Sequence, residues 1–277
     1  NPMELRAAAP KLRIVGTMSS GYNNFDLAAM REHGVMGAYT PSVADDTVAD
    51  LVFGLMLAAA RRITELDKYV KEGKWKGGHD TSLYGVDVHH AVLGIIGMGR
   101  IGEAVAKRAV FGFDMDVLYH NRHRKPEAEQ RLRVRYAELG ELLAKSDFIV
   151  LLTPLTAETR RMIGREQFAA MKHTAVFINA SRGQNMDEAA LVDALREGRI
   201  RAAGLDVYER EPVPADHPLL ALPNVVTLPH VGTATVGNRR NMAMAAAEDL
   251  VRGLTGRPLR FPIPELADLG LGGPAAE

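Results

Sequence analysis

A turn of three spaced glycines, Gly97-Met98-Gly99-Arg100-Ile101-Gly102, follows the apolar run Ala91 to Ile96 and opens a helical pattern over Arg100 to Val110. No other feature restricts the chain so strongly. The first glycine permits a tight turn, the second lets the backbone approach a bound group, and the third lets helix and strand pack closely. Beyond this turn, strands and helices alternate. Met115 to Tyr119 reads as the second strand, a short strand lies around Val134, and a helix spans Glu138 to Ala144. Phe148 to Leu152 is apolar without a break, as expected of a strand covered on both faces. Helices at Arg165 to Met171 and Asp187 to Glu197 separate three more strands, Ala175 to Ala180, Ala202 to Tyr208 and Val225 to Leu228. The alternation predicts an α/β fold with a doubly wound parallel sheet.

Upstream of the turn, Leu12 to Val15 reads as a strand and Asp26 to His33 as a helix, with Asp26 as N-cap and Gly34 as its stop. Asp46 or Thr47 caps a long helix predicted to run to about Glu72, with Val48, Leu51, Val52, Leu55 and Met56 at helical spacing. Its most apolar part, Leu51 to Ala60, contains Gly54 and ends at Arg61-Arg62, so it is a core helix and not a membrane span. Gly73 to Gly85, polar and holding the sole tryptophan Trp75, is an excursion from the globular body. A last helix spans about Thr233 to Arg252, before a proline-rich tail.

Lysine plus arginine equal aspartate plus glutamate, 34 each, so no net field draws the chain to nucleic acid or an acidic membrane. With no cysteine, thiol catalysis, disulfides and cysteine-held metals are excluded. No metal site is expected, and a reducing, cytoplasmic compartment fits. The chain starts Asn1-Pro2 without an initiator methionine, which points to a fragment, a processed product or a partial gene.

A strand before the glycine turn and a helix after it are the context of a dinucleotide site, where the helix N-terminus faces the pyrophosphate. The alternative is a tight strand-to-helix turn without a ligand. The second strand continues into Tyr119-His120-Asn121-Arg122-His123-Arg124-Lys125, with no acidic residue before Glu127. A carboxylate there would repel a 2′-phosphate, whereas Arg122 can grip it bidentately. NADP(H) is therefore preferred, with NAD(H) possible if the basic run is only a solvated loop.

Three polar residues follow the last three predicted strands: Arg182, Glu211 and His230. In open α/β sheets ligands bind outside the carboxyl ends of the strands, so the three would converge on one edge. A dinucleotide carries hydride and leaves substrate orientation and a proton to the protein. Arg182 suits a substrate carboxylate or polarised carbonyl, and otherwise is a surface arginine at a strand end. His230 can donate a proton to a nascent alkoxide. Glu211 is a candidate to stabilise its imidazolium; Glu209 competes on spacing, and Asp206 could support either. The other histidines, including His89 and His90, read as structural.

Together these residues resemble the D-isomer-specific 2-hydroxyacid dehydrogenase family. The matching blocks are the glycine turn, Asn179 to Gly183, Gly204 to Pro212 and Pro229 to Thr235, and the similarity extends from about Lys11 to about Arg257. Glyoxylate/hydroxypyruvate reductases and bacterial 2-ketogluconate reductases are the most similar members, and Tyr119 to Arg122 is similar to the segment of NADPH-using ones. The resemblance implies a Rossmann-type domain over 43–235, with a homodimerisation arm at about 73–90. It also implies a flavodoxin-like substrate domain from 1–42 and 236–277, truncated at its N-terminus, because family members carry further residues there.

The same resemblance gives Arg182 to the substrate, His230 to acid–base work and Glu211, rather than Glu209, to the histidine. The backbone around Ser20 and Gly21 would receive the substrate carboxylate. Gly97, Gly99, Arg100, Ile101, Gly102, Asn121, Arg122, Thr47, Thr153, Pro154, Thr159, Ala180, Asp206 and Gly232 would face the cofactor. The expected activity is reduction of small 2-ketoacids by NADPH. The alternatives are a dinucleotide-sensing protein like the corepressors that share this fold, a fragment that binds cofactor without turnover, and phosphite oxidation.

Overall fold

The structure is a computed structural model that describes residues 11–78 and 80–271. Its larger unit, Asp46–Gly232, is organised by seven parallel strands: β3 (Val92–Ile96), β4 (Asp116–His120), β5 (Arg135–Tyr136), β6 (Phe148–Leu151), β7 (Val176–Asn179), β8 (Ala202–Leu205) and β9 (Val225–Thr227). The spatial order is β5-β4-β3-β6-β7-β8-β9. The chain winds outward from β3 to β5, then returns to β6 and winds the other way. That reversal between β3 and β6 is the switch point of a Rossmann-type sheet.

Both faces of the sheet are covered, and strand alternation divides the side chains between them. Phe148, Val150, Val176 and Ile178 join one core with α2 (Asp45–Ala60) and α4 (Arg100–Phe113). Ile149, Leu151 and Phe177 join the other with α6 (Leu139–Lys145), α7 (Arg165–Ala170) and α8 (Glu188–Arg196). Replacing a fully buried ring such as Phe177 by alanine costs about 3–5 kcal/mol.

Several elements differ from the sequence expectation. The helix predicted to reach Glu72 is two helices, α2 and α3 (Ile63–Lys71). Arg62 between them adopts the left-handed conformation at φ +57°, and the Ala60 carbonyl accepts the Val86 N–H at 3.0 Å. The chain returns so close there that a Cβ on Gly85 would lie 2.4 Å from that carbonyl. The excursion thus begins after α3, with Trp75 exposed, and is back in the core by Val88. Two short elements were not anticipated: β2 (Met36–Ala38), too brief for an alternating pattern, and α5 (Pro126–Leu132), which starts on a proline in its first turn.

The smaller unit draws on Asn1–Asp45 and Thr233–Glu277. Of the expected domain and arm, residues 1–10, 79 and 272–277 lie outside the described residues. β1 (Ile14–Gly16) pairs in parallel with β2, and α9 (Val236–Leu254) packs against β1, with Gly253 under Ile14. α1 (Leu27–Glu32) starts at the Asp26 carboxylate, which accepts the Ala29 N–H at 2.9 Å. Met30, Val35, Ile263 and Leu266 form its core. Fully buried Asp249 accepts the N–H groups of Arg260 and Phe261 at 2.7 and 3.0 Å, fastening the tail onto α9.

Among the described residues, no helix is long and apolar enough to cross a membrane, and no group of three possible metal ligands occurs.

Candidate active site

The glycine turn sits at the switch point, between β3 and α4. Gly97 has φ +103°, and a Cβ there would come within 2.8 Å of the Leu152 backbone at the end of β6. Gly102 would meet the Gly97 carbonyl at 2.5 Å. A Cβ at Gly99, the N-cap of α4, would meet no other atom of the described residues within 4 Å. Two glycines are therefore demanded by the protein itself. The third opens the helix N-terminus outward, which fits a pyrophosphate approaching the backbone N–H groups.

Beyond β4 the basic loop is tied down residue by residue. Arg124 pairs bidentately with Glu129 at 2.7 Å for both contacts, and the Tyr119 hydroxyl donates to the same carboxylate at 2.7 Å. That hydroxyl in turn accepts the Lys125 N–H at 2.7 Å. Hydrogen bonds from Arg124 and then Tyr119 hold the Glu129 carboxyl down at about 2. Lys125 reaches Glu103 at 2.9 Å, which Arg131 also contacts. Arg122 remains exposed, and the Asn121 side chain donates to the His123 carbonyl at 3.1 Å.

The ends of β6 and β7 are joined by buried amides. Asn179 accepts both the N–H and the hydroxyl of Ser181, at 3.0 and 2.8 Å, and donates to the Arg182 carbonyl at 3.1 Å. Asn185 donates to the Thr153 carbonyl at 2.8 Å. Thr159 donates to the Pro154 carbonyl at 2.6 Å, closing the loop that follows. Half-buried Arg182 donates to the Ser181 carbonyl at 2.6 Å. Burial lowers its pKa and the Glu211 charge raises it, yet a guanidinium keeps its charge in proteins. Gly183 lies directly against the Tyr208–Glu209 peptide, where a Cβ would fall 1.8 Å from the Tyr208 carbonyl carbon.

His230 and Glu211 meet past the ends of β9 and β8. Glu211 Oε2 lies 2.7 Å from His230 Nδ1, and its Oε1 accepts the Tyr208 N–H at 3.0 Å. With Nδ1 on the carboxylate, Nε2 is the nitrogen left to serve a reacting group. The competing Glu209 points elsewhere, to Arg161 at 2.8 Å. His230 has φ +54°, a region costly for a residue with a side chain. Asp206 stabilises that bend by accepting the next two backbone N–H groups, Val231 and Gly232, each at 2.8 Å. Only 2% of Asp206 is exposed, and burial raises its pKa while the two N–H bonds lower it. The Tyr208 hydroxyl donates to the Leu228 carbonyl at 3.0 Å, linking the two strand ends. Burial first, and then the Asp206 charge, push that phenol up to about 12.

The structure thus brings Arg182, Glu211 and His230 to the same edge of adjacent strands β7, β8 and β9. Thr153, Pro154, Thr159, Ala180, Asp206 and Gly232 follow the ends of β6 to β9, and Asn121 and Arg122 follow β4. Thr47 lies in the first turn of α2. Ser20 and Gly21 belong to the smaller unit, in the loop after β1, where the Gly21 N–H donates to Ser19 Oγ at 3.2 Å. The Ser20 hydroxyl is shielded from solvent and has no hydrogen-bond partner among the described residues. Sequence reasoning missed the structural parts played by Gly183, Asn185, Glu188 and Tyr208. For Gly183 a signal existed, since a glycine directly after a strand-end arginine suggests a close approach.

A fingerprint turn at a Rossmann switch point, with an arginine and a histidine–carboxylate pair at neighbouring strand ends, defines an oxidoreductase that uses a nicotinamide dinucleotide. The D-isomer specific 2-hydroxyacid dehydrogenase NAD binding domain matches residues 53–232, and the chain belongs to that family. The glyoxylate/hydroxypyruvate reductase B of Pectobacterium carotovorum is 53% identical over 248 residues, 90% of this chain and 78% of the relative. A solved structure from Thermus thermophilus superimposes with a TM-score of 0.87 at 44% identity, covering 93% of this chain and 81% of that one. The NADPH-dependent glyoxylate/hydroxypyruvate reductase of Sinorhizobium meliloti, solved with NADP and malonate, gives 0.87 at 32% identity, covering 96% and 82%.

Proposed function

We propose that the protein is a cytoplasmic, homodimeric NADPH-dependent reductase of small 2-ketoacids, glyoxylate, hydroxypyruvate or 2-ketogluconate, yielding D-2-hydroxyacids. The observation that carries this reading is the His230–Glu211 contact at 2.7 Å, beside Arg182 on the same sheet edge. When bound, the reduced cofactor supplies a hydride to the carbonyl carbon. Arg182 holds the substrate through its carboxylate or carbonyl oxygen. His230 gives the Nε2 proton to that carbonyl oxygen, completing the hydroxyl, and Glu211 stabilises the imidazolium from the Nδ1 side. The backbone around Ser20 and Gly21 is the further candidate to receive the substrate carboxylate.

The preference for NADPH rests on the loop after β4. Arg124 and Lys125 are paired with carboxylates, while Arg122 is exposed on a strand end that carries no acidic residue. The NADPH dependence of the Sinorhizobium meliloti reductase supports the same choice. Homodimer formation is supported by α3, none of whose described residues is buried and which carries exposed Ile63 and Val70, and by exposed Trp75 and Tyr84 in the segment that follows.

The test is NADPH oxidation with the three ketoacids, by wild type and His230→Ala. General acid catalysis contributes about 10²–10⁴-fold, so turnover of the variant should fall by that factor. A loss smaller than ~10-fold would remove His230 from proton transfer.

A further inference from the structure

A second carboxylate–imidazole pair lies behind the loop that carries Glu211. Glu188, the first residue of α8, is 6% exposed. Its Oε1 accepts the Glu209 N–H at 2.7 Å, and its Oε2 is 3.4 Å from His217 Nε2. His217 is itself held through Nδ1, which accepts the Leu219 N–H at 3.3 Å. The opposite side of Glu209 is gripped as well: Gln184 donates to its carbonyl at 2.8 Å, and Gly183 packs against the peptide that precedes it. The clamped residue lies between Tyr208, whose N–H orients Glu211 Oε1, and Glu211 itself.

An acidic residue in the first helical turn is ordinarily satisfied by solvent and the helix dipole. A buried one is costly unless it is paired and hydrogen-bonded. Burial indeed raises the Glu188 pKa, with the Glu209 N–H and His217 working against it. Its ion-pair partner among the described residues is a histidine. The charges facing it are His217, Glu209 and Glu211, and those facing His230 are Glu211 and Asp206.

We propose that Glu188 is a positioning residue for the His230–Glu211 pair: by holding the Glu209 peptide it fixes where the Glu211 carboxylate stands and so keeps His230 Nδ1 engaged. The proposal rests on the proton-transfer reading of that pair. Its active element is the hydrogen bond to the peptide, so a side chain that keeps an acceptor oxygen at the same reach should serve.

The experiment compares full-length wild type with Glu188→Ala, Glu188→Gln, Glu188→Asp and Glu211→Gln. It reads kcat and KM with glyoxylate and NADPH, and the ¹⁵N ring signals of His230 in labelled protein. Misplacing a reacting group by about 1 Å costs on the order of 10²-fold, so Glu188→Ala should lose kcat on that scale while KM for NADPH stays within ~2-fold. Its His230 ring signals should move toward those of Glu211→Gln. Glu188→Gln should keep wild-type ring signals and kcat within ~5-fold, since it preserves the acceptor.

Equal loss in the Gln and Ala variants, or His230 signals unchanged in Ala, would overturn the proposal. If Glu188→Ala does not fold, Glu188→Asp decides, because it keeps the charge but withdraws the oxygen: wild-type kcat and ring signals there overturn it, and a loss of both supports it. Wild type inactive on all three ketoacids would sink the proposed function, while the ring signals would still decide on Glu188.

Discussion

The two halves of the large sheet's carboxyl edge are held together by different chemistry. After β4, the basic loop is stapled by ion pairs between exposed cations and partly buried carboxylates, with Glu129 gathering Arg124 and the Tyr119 hydroxyl and Glu103 gathering Lys125 and Arg131. After β7 to β9, buried carboxylates hold backbone instead: Asp206 takes the Val231 and Gly232 amides, and Glu188 takes that of Glu209. Surface pairs give geometry that yields to salt and to neighbours. Buried acceptors of peptide N–H groups fix backbone, and with it the side chains between them. A surface loop can tolerate the first arrangement, whereas a histidine and a carboxylate at 2.7 Å need the second.

Gly183 is where the buried contacts leave least room. A methyl group there would collide with two backbone atoms of Tyr208, at 1.8 and 2.0 Å, and neither can swing aside. Gly183→Ala should therefore separate the segments carrying Arg182 and Glu211, lowering turnover by about 10²-fold and stability by about 1–3 kcal/mol. Steady-state kinetics and urea unfolding measure the two. A variant with near-wild-type turnover would show that the buried edge is as forgiving as the surface one.

A smaller effect is expected on the cofactor edge. A hydrogen bond to a charged group is worth about 1.5–3 kcal/mol, so Arg122→Ala should raise KM for NADPH by about 10-fold or more and leave that for NADH unchanged. Because the loop is exposed, the same constant should rise with ionic strength in wild type and much less in the variant. Salt-independent binding of NADPH would contradict the description of this edge.

The smallest effect sharpens the contrast, because pH should act on the two edges with opposite signs. The Glu129 carboxyl is lowered to about 2, so its contribution is present above the unfolded value of about 4.3 and is lost as pH falls toward 2. Glu188 is raised by burial. Its contribution is complete below that unfolded value and is lost as pH rises through the folded one. In urea titrations the advantage of wild type over Glu129→Gln should shrink on acidification, while wild type should gain on Glu188→Gln between pH 7 and 4. Parallel trends would refute the comparison.

Much of this was legible in the sequence, for reasons that can be localised. Unbroken apolar runs such as Phe148 to Leu151 and Val176 to Ile178 have no alternative to a strand covered on both faces, and Arg182, Glu211 and His230 follow three such ends directly. The glycine turn was legible because sterics leave few other residues at Gly97 and Gly102. The division of α2 from α3 was not, since Arg62 in a left-handed conformation has no local signature and depends on the return of Gly85 and Val86. The part Glu188 plays has no local signature, because its partner amide lies 21 residues away. The strand predicted over Ala202 to Tyr208 runs past Asp206, whereas β8 ends at Leu205, and the two amides that Asp206 accepts come from beyond β9. Long-range contacts of single peptides are what a pattern of residues leaves out.

The bend at residue 230 has a consequence for redesign. Its unusual backbone is secured by Asp206 through the amides of the two following residues, while the imidazole bonds to Glu211. The scaffold is therefore a socket, built independently of what is plugged into it. Asparagine, which tolerates a left-handed backbone well among non-glycine residues, should seat there without disturbing the loop. An engineer could vary the reactive group at this position while leaving the frame that presents it untouched.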